Sequence, residues 1–111
     1  MSVPFELSVQ ETAQRISGGG KLHLIDVREP YEFATARMEG AELIPMRSVP
    51  GELQHIEGLA EQAPVVVICH HGVRSLQVVN WLRQQGVERC QSMSGGMDAW
   101  SMYIDPTVPR Y

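Results

Sequence analysis

The segment Cys69-His70-His71-Gly72-Val73-Arg74-Ser75 follows an unbroken apolar run, Pro64-Val65-Val66-Val67-Ile68, and leads directly into a helical pattern. A thiol at that junction is placed for anion chemistry. Loop amides and the positive end of a helix both favour negative charge, so a thiolate and an anionic ligand are stabilised in the same place. The neighbouring residue types fit that use. Gly72 permits the close backbone approach of a loop that curls its amides toward one anion. Arg74 offers charge-assisted hydrogen bonds to a sulfonate or carboxylate, with an outward position or a bridge to an acid as its rival roles. Ser75 is an N-terminal cap or a hydroxyl donor, and Val73 lies in the same ligand-facing loop. His70 and His71 are adjacent, so their side chains are expected to diverge, with one at most facing the thiol. Either can donate a hydrogen bond when neutral or add positive charge when protonated.

The second cysteine, Cys90, is not spaced from Cys69 as a CxxC redox pair or a zinc ligand pair. It is expected to be structural, in or beside a strand, and a reducing compartment disfavours a disulfide between the two. The four histidines, His23, His55, His70 and His71, form no HExxH motif, so no metal and no cofactor is expected. A net charge of −4 from 9 basic and 13 acidic residues argues against non-specific nucleic-acid binding. No apolar stretch approaches the ~20 residues of a membrane span. The first residues lack a basic region followed by an apolar one. The expectation is a cytoplasmic protein with no nucleic-acid or membrane partner.

These 111 residues, 43% hydrophobic and 20% charged, suffice for one domain with a single core. Ser8-Val9-Gln10-Glu11 has the form of a capping box, which predicts a helix from about Val9 to Ile16, stopped by Gly18-Gly19-Gly20. Leu22 to Val27 accumulates apolar residues as a strand covered on both faces does. Pro30 suits the first turn of a short helix through Ala34, and Ala41 to Ile44 reads as a short strand ended by Pro45. Pro50, Gly51 and Gly58 restrict residues 47–62 to one or two helical turns from Glu52 to Ile56. Pro64 to Cys69 is a strand, and Ser75 to Gln85 a helix with Leu76, Val79, Leu82 and Val78 as its inward set and Gly86 as its stop. A last strand over Val87 to Met93 and a last helix over Gly96 to Tyr103 follow, with Trp81 and Trp100 in or near the core. Residues 105–111 form an extended tail. Strands alternating with helices at these spacings imply an α/β fold, a parallel sheet with helices on both faces. Ligands bind outside the C-terminal strand ends of such sheets. Both Asp26-Val27-Arg28-Glu29 and the Cys69 loop leave such ends.

Three segments resemble the single-domain rhodaneses, a sulfurtransferase family. They are Leu24-Ile25-Asp26-Val27-Arg28-Glu29-Pro30-Tyr31-Glu32-Phe33, the loop Cys69-x-x-Gly72-x-Arg74-Ser75, and Ser94-Gly95-Gly96-Met97-Asp98-Ala99-Trp100. Where the family often reads G-H-I-P-G-A, this chain has Ala36-Arg37-Met38-Glu39-Gly40-Ala41, with Arg37 in place of the histidine. The resemblance implies a rhodanese-like domain over residues 1–111 with a five-stranded parallel sheet. It also implies a Cys69 that carries sulfane sulfur as a persulfide, taken from a small anionic donor such as thiosulfate and passed to cyanide or a thiol, including a protein thiol. Residues 70–75 would then bind the substrate. No general base is required, because a thiolate attacks sulfane sulfur directly. Asp26 and Arg28 resemble the family's structural pair, with Arg28 a candidate for the border of the substrate mouth.

Two other functions compete with this one. Cysteine phosphatases and arsenate reductases also hold a thiolate in an amide-lined loop, but the related C-x-x-x-x-x-R loop places arginine six positions on. Here Arg74 stands five positions on, and the shorter ring is too tight for the three peripheral oxygens of a phosphate. A non-enzymatic or partner-dependent rhodanese-like module is the second alternative, and the retained Cys69 speaks against its purely structural form.

Overall fold

The computed structural model describes residues 3–111. Its elements are β1 (Glu6–Leu7), α1 (Val9–Ser17), β2 (His23–Asp26), α2 (Pro30–Thr35), β3 (Glu42–Leu43), α3 (Leu53–Gln62), β4 (Val65–Ile68), α4 (Val73–Gln84), β5 (Cys90–Met93) and α5 (Gly96–Tyr103). Two short 3-10 turns, Met46–Ser48 and Pro50–Glu52, join β3 to α3. The five strands form one sheet in the order β1-β5-β4-β2-β3, and every pair is parallel.

Period-two alternation in the central strand divides the core. Val65 and Val67 of β4 face Ile56 and Ala60 of α3 and Val78, Val79 and Leu82 of α4. Val66 and Ile68 face the other way, toward Val9 of α1 and Met97 and Trp100 of α5. All four β4 residues are buried, which is why this strand reads as a continuous apolar run rather than an alternating one. At the other end of the sheet β1 is held by Ser92 N–H to Phe5 O at 2.8 Å and Ser94 N–H to Leu7 O at 2.9 Å. This two-residue strand carries no periodic signal, and the sequence pattern did not suggest it.

The cap of α1 forms as its motif requires: Glu11 N–H donates to Ser8 Oγ at 3.0 Å and Ser8 N–H to Glu11 Oε1 at 2.9 Å. Three local expectations need correction. Helix α3 runs ten residues straight through Gly58, whose absent side chain would meet only open space. The ~1 kcal/mol a mid-helix glycine costs is offset by burial of Ile56 and Ala60. Helix α4 starts two residues early, at Val73, because Gly72 with φ +98° takes the cap position. Ser75 is therefore not a cap but an inward residue of the first turn. On the same helix Val78 is fully buried, while Leu76 is only half-buried.

Residues 105–111 run back over the molecule. Asp105 N–H donates to Trp100 O at 2.9 Å, Val108 packs against the α1/α5 side of the core, and Arg110 pairs with Asp98 at 2.9 Å.

Leu82 is fully buried on α4 against β4 and β5. Leu82→Ala is expected to lower the unfolding free energy by about 2–5 kcal/mol in a urea titration. Replacing the exposed Tyr103 by alanine is expected to stay within about 0.5 kcal/mol in the same measurement.

Candidate active site

Strand β4 ends at Ile68, so Cys69 leaves the sheet at its C-terminal edge, 1% exposed. Two groups converge on its sulfur. Gly72 N–H donates to Sγ at 3.0 Å, and Ser75 Oγ lies 3.2 Å from Sγ. Gly72 can turn its amide inward because its left-handed backbone is free of side-chain strain. A Cβ there would also crowd Gly95 N at 3.0 Å. Behind Ser75 stands Ser92 of β5, its Oγ 2.7 Å from Ser75 Oγ and fully buried.

The loop is shaped from beneath by α5. Met97 N–H donates to Cys69 O at 2.8 Å and Asp98 N–H to His70 O at 3.0 Å. Amides that a helix N-terminus leaves unpaired are thereby satisfied by the carbonyls of the thiol loop. The approach is so close that a Cβ on Gly96 would run into both of those oxygens. This accounts physically for the Gly95-Gly96 pair, both at positive φ. On the other side, α4 has no side-chain cap and no acid in its first turn, so its positive end faces the loop uncompensated.

The remaining charges go elsewhere. Arg74 forms a bidentate pair with Glu32 of α2, at 2.7 Å and 2.9 Å; of the roles open to it, the bridge to an acid is the one adopted. Arg28 is fully buried and does not border the substrate mouth. Its guanidinium donates to Asp26 (2.6 Å at closest), to the carbonyls of Ala36 and Glu32, and to Tyr111 Oη at 2.7 Å. A guanidinium taken from water must fill its donors with fixed acceptors, and the last residue of β2, two carbonyls of α2 and its C-cap, and Tyr111 supply them. Tyr111 Oη in turn donates to Glu32 Oε2 at 2.8 Å. One connected network thus runs Asp26–Arg28–Tyr111–Glu32–Arg74.

The two histidines do not diverge. Their rings stack at 4.0 Å between centroids, and the Tyr111 ring stacks on His70, also at 4.0 Å and within 9° of parallel. The bends at residues 70–72 fold the loop tightly enough to bring the rings together. His70 Nε2 is buried without a hydrogen-bond partner. Burial, and secondarily its neighbour His71, push the His70 imidazolium down from its usual range. His70 is therefore a neutral ring near pH 7 rather than a fixed cation. His71 and Val73 are exposed and line an open groove of about 640 Å³ with Phe5, Glu6, Leu76 and Asn80. Cys90 is buried in β5 and donates to Val87 O at 3.2 Å; desolvation raises its thiol's pKa.

Of the loop residues singled out from the sequence, Cys69, Gly72 and Ser75 meet at the sulfur, and His70 lies beside them under Tyr111. His71 and Val73 face the groove, and Arg74 turns to Glu32. Ser92, Tyr111 and the ion-pair role of Glu32 were missed. Only Glu32 had a sequence signal, its place in the segment that opens with Leu24.

Comparison with known proteins places the fold in a family. The family model described as Rhodanese-like domain matches residues 8–103. The chain belongs to the rhodanese-like family. It is 38% identical over 89 residues to the chloroplastic Rhodanese-like/PpiC domain-containing protein 12 of Arabidopsis thaliana, covering 79% of this chain and 30% of that protein. The chain thus spans less than a third of that relative. It is 33% identical over 88 residues to the thiosulfate sulfurtransferase GlpE of Vibrio cholerae, covering 79% of this chain and 80% of that one. A crystal structure from Staphylococcus saprophyticus superposes with a TM-score of 0.78 at 32% identity, covering 98% of this chain and 99% of its own.

The Glu32 carboxyl is held down at about 2, chiefly by its hydrogen bonds to Arg74, from an ordinary 4.5. A depressed folded-state value contributes stability above the unfolded value, and that stability is lost as pH falls through the folded one. Unfolding free energy measured by urea at a series of pH values is expected to fall from about pH 4.5 toward 2. Glu32→Gln is expected to flatten that part of the profile. Asp26→Asn, which leaves buried Arg28 without its counter-charge, is expected to cost about 3–5 kcal/mol.

Proposed function

We propose that this rhodanese-like protein is a sulfurtransferase in which Cys69 is the sulfur-carrying nucleophile. The observation that carries this is the convergence of Gly72 N–H and the Ser75 hydroxyl on Sγ at the uncapped N-terminus of α4. In the loading step the Cys69 thiolate attacks the outer sulfur of thiosulfate or of a persulfide donor. A bond forms between Sγ and that sulfur, and the donor's own bond to it breaks. Sulfite or a thiolate leaves with the electron pair. In the discharge step a thiol acceptor or cyanide attacks the outer sulfur, and the pair returns to Sγ. No proton has to be removed from carbon or oxygen, so the neutral, stacked His70 need not act as a base. Small anionic donors suit the uncompensated end of α4.

A phosphatase finds less support. Arg74 is engaged by Glu32 at 2.7 Å and 2.9 Å, so the cation that would clamp the peripheral oxygens of a phosphate is already paired. The groove beside His71 and Val73 favours one refinement, a carrier whose acceptor is a protein thiol. The groove opens beside the loop, and Val73 is 66% exposed there. Slow turnover with cyanide together with fast sulfur exchange to a dithiol protein would distinguish that form.

The test is direct. Intact-mass analysis after incubation with thiosulfate is expected to show one added sulfur, mapped to Cys69, and steady-state kinetics a ping-pong pattern. Cys69→Ser is expected to abolish both, whereas Cys90→Ala should retain the added sulfur. A confirmed free thiol that takes up no sulfur from thiosulfate or persulfide donors would overturn the assignment.

A further inference from the structure

Hydrogen counting around Cys69 singles out Ser92. The Ser75 hydroxyl has two close neighbours, Cys69 Sγ at 3.2 Å and Ser92 Oγ at 2.7 Å, but one hydrogen to give. Ser92 Oγ is fully buried, and Ser75 is its one hydrogen-bond partner among the described residues. Two orderings of this chain are available. In the first, Ser92 donates to Ser75 and Ser75 donates to the sulfur. In the second, the sulfur or another group donates to Ser75, Ser75 donates to Ser92, and the Ser92 hydrogen is left in the core with no acceptor. A buried unpaired donor is costly, so the first ordering prevails, and it aims a hydrogen at Sγ.

We propose that Ser92 is a positioning residue that polarises a two-hydroxyl relay, Ser92 to Ser75 to Cys69, toward the sulfur. The fold holds this relay rigidly. Ser92 is paired in register with Val67, two residues before Cys69 on the adjacent strand, and Ser75 descends from the first turn of α4. The relay matters when the sulfur is anionic. In the free enzyme it stabilises the Cys69 thiolate. In the discharge step, which rests on the function proposed above, the acceptor's bond to the outer sulfur forms as the S–S bond breaks, and the electron pair arrives on Sγ where the Ser75 hydrogen already points. In the persulfide itself Sγ is a neutral, divalent sulfur and a weak acceptor. The relay therefore favours the departing thiolate over the loaded state, which speeds discharge.

Two readouts test this on the full chain. The first is the rate of Cys69 alkylation by iodoacetamide at neutral pH, which reports the thiolate without any sulfur donor. The second is the single-turnover rate at which preloaded persulfide is discharged by cyanide. Ser92→Ala is expected to slow alkylation roughly three- to tenfold, with a comparable loss in discharge. Ser92→Thr, which keeps the hydroxyl, is expected to restore both. Ser101→Ala removes a buried hydroxyl outside the relay and is expected to react as the parent does. All are compared below their thermal transitions. Wild-type alkylation in a folded Ser92→Ala overturns the relay, as does an equal loss in Ser101→Ala or a folded Ser92→Thr as slow as the alanine variant. Slowed alkylation in a protein that accepts sulfur from no donor would uphold the relay and overturn the sulfurtransferase reading instead.

Discussion

The backbone contact between the Cys69 loop and the start of α5 is the constraint on which the site depends. Cys69 O and His70 O accept from Met97 N–H and Asp98 N–H, and this pulls the first two carbonyls of the loop toward α5. With those oxygens anchored, the chain turns back at Gly72, and the Gly72 amide is brought onto Sγ. The contact is possible only because Gly96 has no side chain in the gap. Both helix ends act on the one loop: α5 gives its free amides to the carbonyls, and α4 keeps its own end open toward the sulfur. One peptide segment therefore presents acceptors on one side and a donor on the other, and the thiol lies on the donor side.

A second constraint acts from the side. Arg28, buried at the end of β2, collects the Asp26 carboxylate, two carbonyls of the α2 region and the Tyr111 hydroxyl. The buried ion pair is weak evidence for net stability, since desolvating two charges offsets most of their attraction. Its structural effect is to fix the turn that carries Glu32. Glu32 then holds Arg74, and Tyr111 covers His70. Charges that a linear reading assigns to substrate are thus joined into scaffolding. The surroundings of the thiol are left to a backbone amide, a hydroxyl and a helix end. Such groups add no mobile charge and are oriented in advance by the backbone that carries them.

Much of this fold was legible in the sequence. The apolar run of β4, the capping box of α1 and the limits of α5 are local features, set by side-chain periodicity and by backbone preferences within a few residues. The extent of α3 was misread and β1 went unread, for opposite reasons. In α3, burial of Ile56 and Ala60 overrode the local cost of Gly58. In β1, two residues are too few to show a period, and their strand character comes from pairing with a partner more than eighty residues away in the chain.

The sequence by itself determined where the Cys69 thiol stands, between a buried strand and a helix, and that Gly72 lies in the loop that follows it, because these depend on neighbours along the chain. It left open what each polar group touches. That Arg74 meets Glu32, that His70 lies between His71 and Tyr111, and that Ser92 stands behind Ser75 were decided by the tertiary structure. Strand order and register place residues distant in sequence within 3 Å of one another. A hydrogen bond has a range of one atomic contact, and no spacing in a linear chain encodes a contact made across a sheet.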